Sequence, residues 1–126
     1  MIGVHARVPV FAFCEPVDMR KGFETLAAIV KGEMGEDPLS GALFLFTNRS
    51  RTHAKVLQFD GSGTCLFAKR LVKGRFVALW EHAKHRSIRL TKNELELFLD
   101  GSQLIGRFAV APSPISEKDL AVRSKM

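Results

Sequence analysis

No apolar run in this 126-residue chain approaches the roughly 20 residues needed to span a bilayer. The start, with His5 and Arg7 ahead of the short apolar stretch Val8 to Cys14, lacks a signal peptide's charged head and small-residue cleavage site, so the expectation is a cytoplasmic protein without membrane contact. Cysteine is scarce. Cys14 and Cys65 stand far apart and belong to no paired metal-ligand motif, which points to buried reduced thiols rather than a metal site. Carboxylates are not grouped either. Two-metal nucleotidyl transfer needs several of them converging on the ions, whereas Asp18 reads as a helix cap, Asp60 as a turn residue and Glu94 as part of a capping box. No phosphate-cradling glycine loop of the P-loop type occurs. The sequence therefore predicts no catalytic residue, no metal and no cofactor.

What is present is enough apolar material, 46% of residues, for one core. The patterning predicts a single α+β domain over residues 1–106 and a loosely ordered tail over 107–126, where Pro112, Pro114 and many charges accumulate. Val8 to Cys14, β-branched and aromatic, reads as a short strand ending at Glu15-Pro16. Asp18 then heads a helix to about Met34, with Met19, Phe23, Leu26, Ala27, Val30 and Met34 on one face and Gly32, Gly35 and Pro38 as stops. From Ala42 to Trp80 the runs shorten to strand length, and four are predicted: Ala42 to Thr47, His53 to Phe59, Thr64 to Arg70 and Arg75 to Trp80. They should form an antiparallel meander with one face on the helix and one partly exposed. Glu81 to Arg89 reads as polar connection. Thr91 with Glu94 three residues on predicts a capped short helix carrying Leu95, Phe98 and Leu99. Phe23, Leu26, Val30, Phe44, Phe46, Leu57, Leu66 and Phe67 are the expected core.

The charge is uneven. Residues 1–47, 48–75 and 76–126 carry −2, +6 and +2, so the middle segment alone equals the net charge of +6. It holds Arg49, Arg51, Lys55, Lys69, Arg70, Lys73 and Arg75 against Asp60. Such a block attracts polyanions, and arginine forks mixed with mobile lysines suit a sugar-phosphate backbone better than a specific base pattern. A three-residue loop at Gly61 to Gly63 would set Lys55 opposite Lys69; a two- or four-residue loop would set it opposite Ala68. Arg20 and Lys21, expected in the opening turn of the first helix, sit where the macrodipole favours anions, so a phosphate bound there would relieve their cost, with an Arg20–Glu24 surface pair as the plainer account.

Three functions follow from these residues. The first is a non-catalytic DNA-binding protein using the basic sheet and Arg20 and Lys21. The second is a protein-interaction module with apolar surface near Trp80 and the C-terminal helix. The third, a small ribonuclease on His82, His85 and Arg86, rests on a three-residue histidine spacing that is more often plain surface.

Val17-Asp18-Met19-Arg20-Lys21-Gly22-Phe23, Leu26-Ala27, Gly41 to Phe46, Asp60-Gly61-Ser62-Gly63-Thr64-Cys65-Leu66-Phe67-Ala68-Lys69-Arg70-Leu71 and Lys73-Gly74-Arg75-Phe76 together resemble one known family over about residues 10 to 105. It is the accessory second-reading-frame protein, often called TnpB, of the insertion-sequence-sixty-six type, distinct from the RNA-guided nuclease that shares the name. The sequence departs from that family in having Gln58-Phe59 where an aromatic pair tends to precede the turn aspartate, and in its tail beyond Arg107. The resemblance implies a role in transposition of a bacterial insertion sequence, beside a separate transposase that carries the catalytic carboxylates. That transposase is the partner it implies, and the basic block adds DNA, at the element's ends, as the other expected partner.

Overall fold

The computed structural model describes residues 7–81 and 83–103. His82 and the predicted tail over 107–126 lie outside the described residues. The elements run β1 (Val10–Phe13), α1 (Phe23–Gly32), β2 (Leu43–Thr47), β3 (His53–Phe59), β4 (Thr64–Arg70), a 3₁₀ turn (Leu79–Glu81), β5 (Ser87–Leu90) and α2 (Lys92–Leu99). The strands form one sheet in the order β4-β3-β2-β1-β5. β1 pairs parallel with β2, and every other pairing is antiparallel. This is the α+β domain that the patterning predicts.

Both faces of the sheet are covered at its centre, and the edge strand β4 stays partly open. Residues directly opposite one another across a ladder share a face. One such face carries Phe13, Phe44, Phe46 and Leu57, and Leu26 and Val30 of α1 pack on it together with Met34. The other carries Val10, Ala12, Leu43, Leu45, Ala54 and Val56 beneath Phe76, Leu79 and the α2 residues Leu95, Phe98 and Leu99. β2 therefore has no exposed side: all five of its residues are buried. The expectation of a sheet with one partly open face is thus corrected, because two apolar layers rather than one are available to cover it.

The fourth predicted strand does not form. Phe76, Val77, Ala78 and Leu79 are consecutive buried residues, without the alternation that a strand with one wet face needs. The segment instead folds over the second face, where the rings of Phe76 and Phe98 stack at 5.0 Å. The fifth strand comes from the segment read as polar connection: Ile88 and Leu90 turn inward while Arg89 between them stays exposed, its guanidinium 5.2 Å from the Phe11 ring centroid.

The first helix is shorter than predicted. Residues 18–21 form a turn, the Lys21 amide donating to the Asp18 carbonyl at 3.0 Å, Gly22 takes the cap position with no side-chain cap bond, and Asp18 serves Arg20 instead. Phe23 opens the helix and is 48% exposed, so it leaves the predicted core; the packed stripe is anchored one turn later by Leu26 and Val30. Leu66 and Phe67 are half-buried on the edge strand, and the remaining predicted core residues are buried. The second helix starts as expected. Thr91 Oγ1 accepts from the Glu94 amide at 3.0 Å and Glu94 Oε1 accepts from the Thr91 amide at 2.7 Å, a reciprocal cap whose loss costs about 1 kcal/mol. The β3–β4 loop has four residues, Phe59 facing Thr64, which sets Lys55 opposite Ala68.

Candidate nucleic-acid interface

The topology brings three basic loops, and the residues that lead into β5, to one end of the sheet. β1 and β2 are parallel and end there; β3 starts there and β4 ends there, because each is antiparallel to its neighbour. Residues 14–22, 48–52 and 71–76 therefore meet, while the Asp60–Gly63 turn lies at the opposite end. Backbone bonds join the loops to their surroundings: the Val17 amide donates to the Thr47 carbonyl at 2.9 Å, Leu71 to Thr52 at 2.9 Å and Phe76 to Arg51 at 2.7 Å.

Asn48 organises the middle loop. Its Oδ1 accepts from the Thr52 and His53 amides at 2.9 and 3.0 Å, and its Nδ2 donates to Ser50 Oγ at 3.0 Å. Arg51 occupies the left-handed region at φ 63°, a conformation that a non-glycine residue holds only where the surroundings fix it. Here the fixed neighbours are the Asn48 side chain and the two bonds to the 71–76 loop. Arg49 is exposed on this scaffold and Arg51 is half-buried in it.

Arg20 projects from the first loop. Its backbone amide and its guanidinium both donate to the Asp18 carboxylate, the shortest bond being 2.6 Å from Nη2 to Oδ2. These bonds, side-chain first and backbone second, pull the Asp18 carboxyl down to about 2. With its side chain 91% exposed, Arg20 keeps donors toward solvent while the carboxylate fixes its direction. Lys21 is exposed beside it.

The other basic residues divide. Arg70 ends β4 opposite His53 and is exposed, and Lys73 and Arg75 are exposed in the 71–76 loop. Lys69 points to the other face of the sheet, 3.9 Å from Asp100. Lys55 is committed to the scaffold, its Nζ donating to the Met19 and Lys21 carbonyls at 2.7 and 2.9 Å. The structure thus gathers Arg20, Lys21, Arg49, Arg51, Arg70, Lys73 and Arg75 at one end of the molecule, turns Lys69 to the other face and commits the Lys55 ammonium to backbone carbonyls. The basic residues lie at the end of the sheet and not across a face.

Between the first two loops lies an open cleft of about 870 Å³, lined by Pro16, Val17, Asp18, Met19, Arg20, Asn48, Arg49, Ser50 and His53. Asn48, Ser50 and His53 were not singled out from the sequence, since each is a common turn or strand-end residue whose role depends on a neighbour distant in the chain. Arg86, grouped with His82 and His85 in the ribonuclease reading, is tied to Glu15 at 2.5 Å and to Glu33 at the end of α1, leaving His85 exposed beside it. Among the described residues no group of three or more histidine, cysteine or carboxylate side chains is placed to hold a metal ion, and no helix is long and apolar enough to cross a membrane.

No solved structure matches the chain. Two proteins of Sinorhizobium fredii are similar to it, and both bear the name uncharacterized protein. The one designated y4hO is 44% identical over 84 residues, 67% of this chain and 71% of that one, and y4jC is 29% identical over 101 residues, 80% and 85% respectively. Residues 8–107 match the family described as IS66 Orf2 like protein, which spans the whole sheet, both helices and all three basic loops. The chain belongs to the IS66 Orf2 like protein family, the accessory proteins of that type of insertion sequence.

Proposed function

We propose that the protein takes its accessory part in transposition by gripping the DNA backbone, without catalysing strand transfer, through the basic loops at one end of its sheet. The observation that carries this reading is the convergence of Arg20, Arg49, Arg70, Lys73 and Arg75, five exposed cations from the end of β4 and from three loops joined to the sheet and to one another by backbone bonds. A set of fixed cations on one surface releases counterions when phosphates replace them, and arginine forks match phosphate oxygens in pairs. The non-catalytic part is supported by the carboxylates. Asp18 serves Arg20, Asp60 accepts the Ser62 and Gly63 amides at the far end of the sheet, and Glu94 completes the α2 cap, while Glu15 and Glu33, which do come together, are both taken up by Arg86.

The test is a salt series of gel shifts with the element's terminal repeats and with unrelated DNA, with and without the transposase. Alanine at Arg49, Arg70, Lys73 and Arg75 together should lower affinity for both DNAs alike and flatten the log–log salt slope by roughly 0.9 per lost phosphate contact. A folded quadruple variant that binds DNA like its parent, with the same slope, removes this reading and leaves recruitment of the transposase as the function.

A further inference from the structure

The cleft between the first two loops is larger than a phosphate grip needs. It measures about 870 Å³ and stands open to solvent, a groove rather than an enclosed cavity. One wall is apolar, formed by Pro16, Val17 and Met19; the rim carries Arg20 and Arg49. A second hollow of about 260 Å³ adjoins it, with Lys55, Ala68 and Arg70 in its lining. Met19 and His53 line both, so they form the ridge between two hollows in a row, each with an exposed arginine beside it. The His53 ring is anchored through its Nδ1, which lies 2.8 Å from Thr52 Oγ1 and 3.3 Å from Asn48 Nδ2.

We infer that this pair of hollows takes successive unpaired nucleotides of single-stranded DNA, an inference that rests on the DNA-binding reading above and specifies the strand it prefers. Duplex DNA presents phosphates outward but keeps its bases stacked inside, so it can meet the arginines and leave the apolar walls empty. A single strand offers both at once: phosphates for Arg20, Arg49 and Arg70, and base faces for Met19, Pro16 and the His53 imidazole, since every base has a flat apolar face and side chains of these kinds accept it irrespective of sequence. Two hollows that share the Met19–His53 ridge, each with an arginine beside it, offer apolar and cationic contacts in alternation, as base and phosphate alternate along a strand. The Asp18 carboxylate, the one anion in the lining, is paired with Arg20.

Fluorescence anisotropy with a labelled short oligothymidylate, its duplex with oligoadenylate and an oligouridylate of the same length tests this at one salt concentration. The single DNA strand should bind about tenfold tighter than the duplex. The double variant Met19→Ala with His53→Ala should lose about tenfold for the single strand, in keeping with the loss of one base stack, and stay within about twofold of the parent for the duplex. A measurement on the parent alone guards against a misfolded variant: in NMR titrations the Met19 methyl and His53 ring signals should shift with oligothymidylate and not with inorganic phosphate. Equal affinity for strand and duplex, a tighter hold on oligouridylate, or unmoved Met19 and His53 signals would overturn the inference and leave backbone binding standing. A parent that binds no DNA at all would overturn both.

Discussion

The Lys55 ammonium lies 2.7 Å from the carbonyl oxygen of Met19 and 2.9 Å from that of Lys21, so a lysine in the middle of the basic segment fastens the loop that precedes the first helix to the third strand. Loop and strand are 34 to 36 residues apart in sequence, and this contact ties the Arg20 loop to β3. Replacing Lys55 with methionine keeps the apolar stem and removes the donor. The cost should be about 1–3 kcal/mol in urea denaturation, the range for a hydrogen bond to a charged group and its stranded acceptors. The salt slope of DNA binding should stay near the parent's, because this ammonium is spent inside the protein.

Lys69 and Arg70 are adjacent in sequence and opposite in space, which gives a sharp comparison. Arg70 faces the basic end beside His53, whereas Lys69 lies on the α2 side near Asp100. Gel shifts across a salt series should show Arg70→Ala flattening the slope by about 0.9, one phosphate contact, and Lys69→Ala changing it by much less. Equal effects from the two substitutions would mean that DNA wraps the β4 edge instead of meeting the sheet end.

How far the sequence discloses this arrangement depends on the range of the interaction involved. The strands at residues 43–47, 53–59 and 64–70 and the Thr91–Glu94 cap are legible because alternation, turn residues and capping act within a few positions. The fifth strand is hidden because Ile88 and Leu90 are its only apolar residues, and its place depends on pairing with β1 more than seventy positions earlier. Phe76 to Leu79 misleads in the opposite direction: a strand-like composition is buried as an irregular cover, since Phe98 stacks on it from a helix. The site shows the same division. Charge counting finds the basic segment, but only the parallel β1–β2 pairing brings Arg20 to Arg49, and only the strand register turns Lys69 away.

Asp18 offers a prediction with a defined pH window. Its hydrogen bonds with Arg20 lower the folded carboxyl to about 2 from an ordinary 3.8. A depressed carboxyl stabilises the fold fully above the unfolded value, and the contribution is lost as pH falls from 3.8 through about 2. The Arg20–Asp18 pair is therefore intact throughout the neutral range. Asp18→Asn keeps an oxygen for the Arg20 amide but removes the negative charge from the cleft, so DNA affinity at neutral pH should rise a few-fold by anisotropy, and the acid-side drop in the thermal midpoint between pH 4 and 2 should shrink.

The two thiols should behave differently, and their difference reads out the core. Cys14 is buried at the end of β1, its amide donating to the Arg86 carbonyl at 2.7 Å, and burial, reinforced by the neighbouring Glu15 charge, pushes its thiol up to about 12. Cys65 is half-buried on the edge strand, where desolvation and its 3.5 Å hydrogen bond to Asp60 also raise its thiol. A thiol reagent at pH 8 should therefore modify Cys65 slowly and Cys14 only after unfolding, giving one reactive group in the native protein and two in urea. The same burial has a thermodynamic sign. An unfolded thiol ionises near 9 and the folded Cys14 near 12, so the folded state retains a proton that the unfolded chain releases. Its contribution is complete below about pH 9 and falls as pH rises toward 12, by at most about 1.4 kcal/mol per pH unit. The chain has no tyrosine to add a phenol titration in this interval. Urea midpoints measured at pH 8 and pH 10.5 should converge more closely in Cys14→Ala than in the parent, although the variant is less stable at both. A parent whose midpoint loss over that interval matches the variant's would place Cys14 in contact with water.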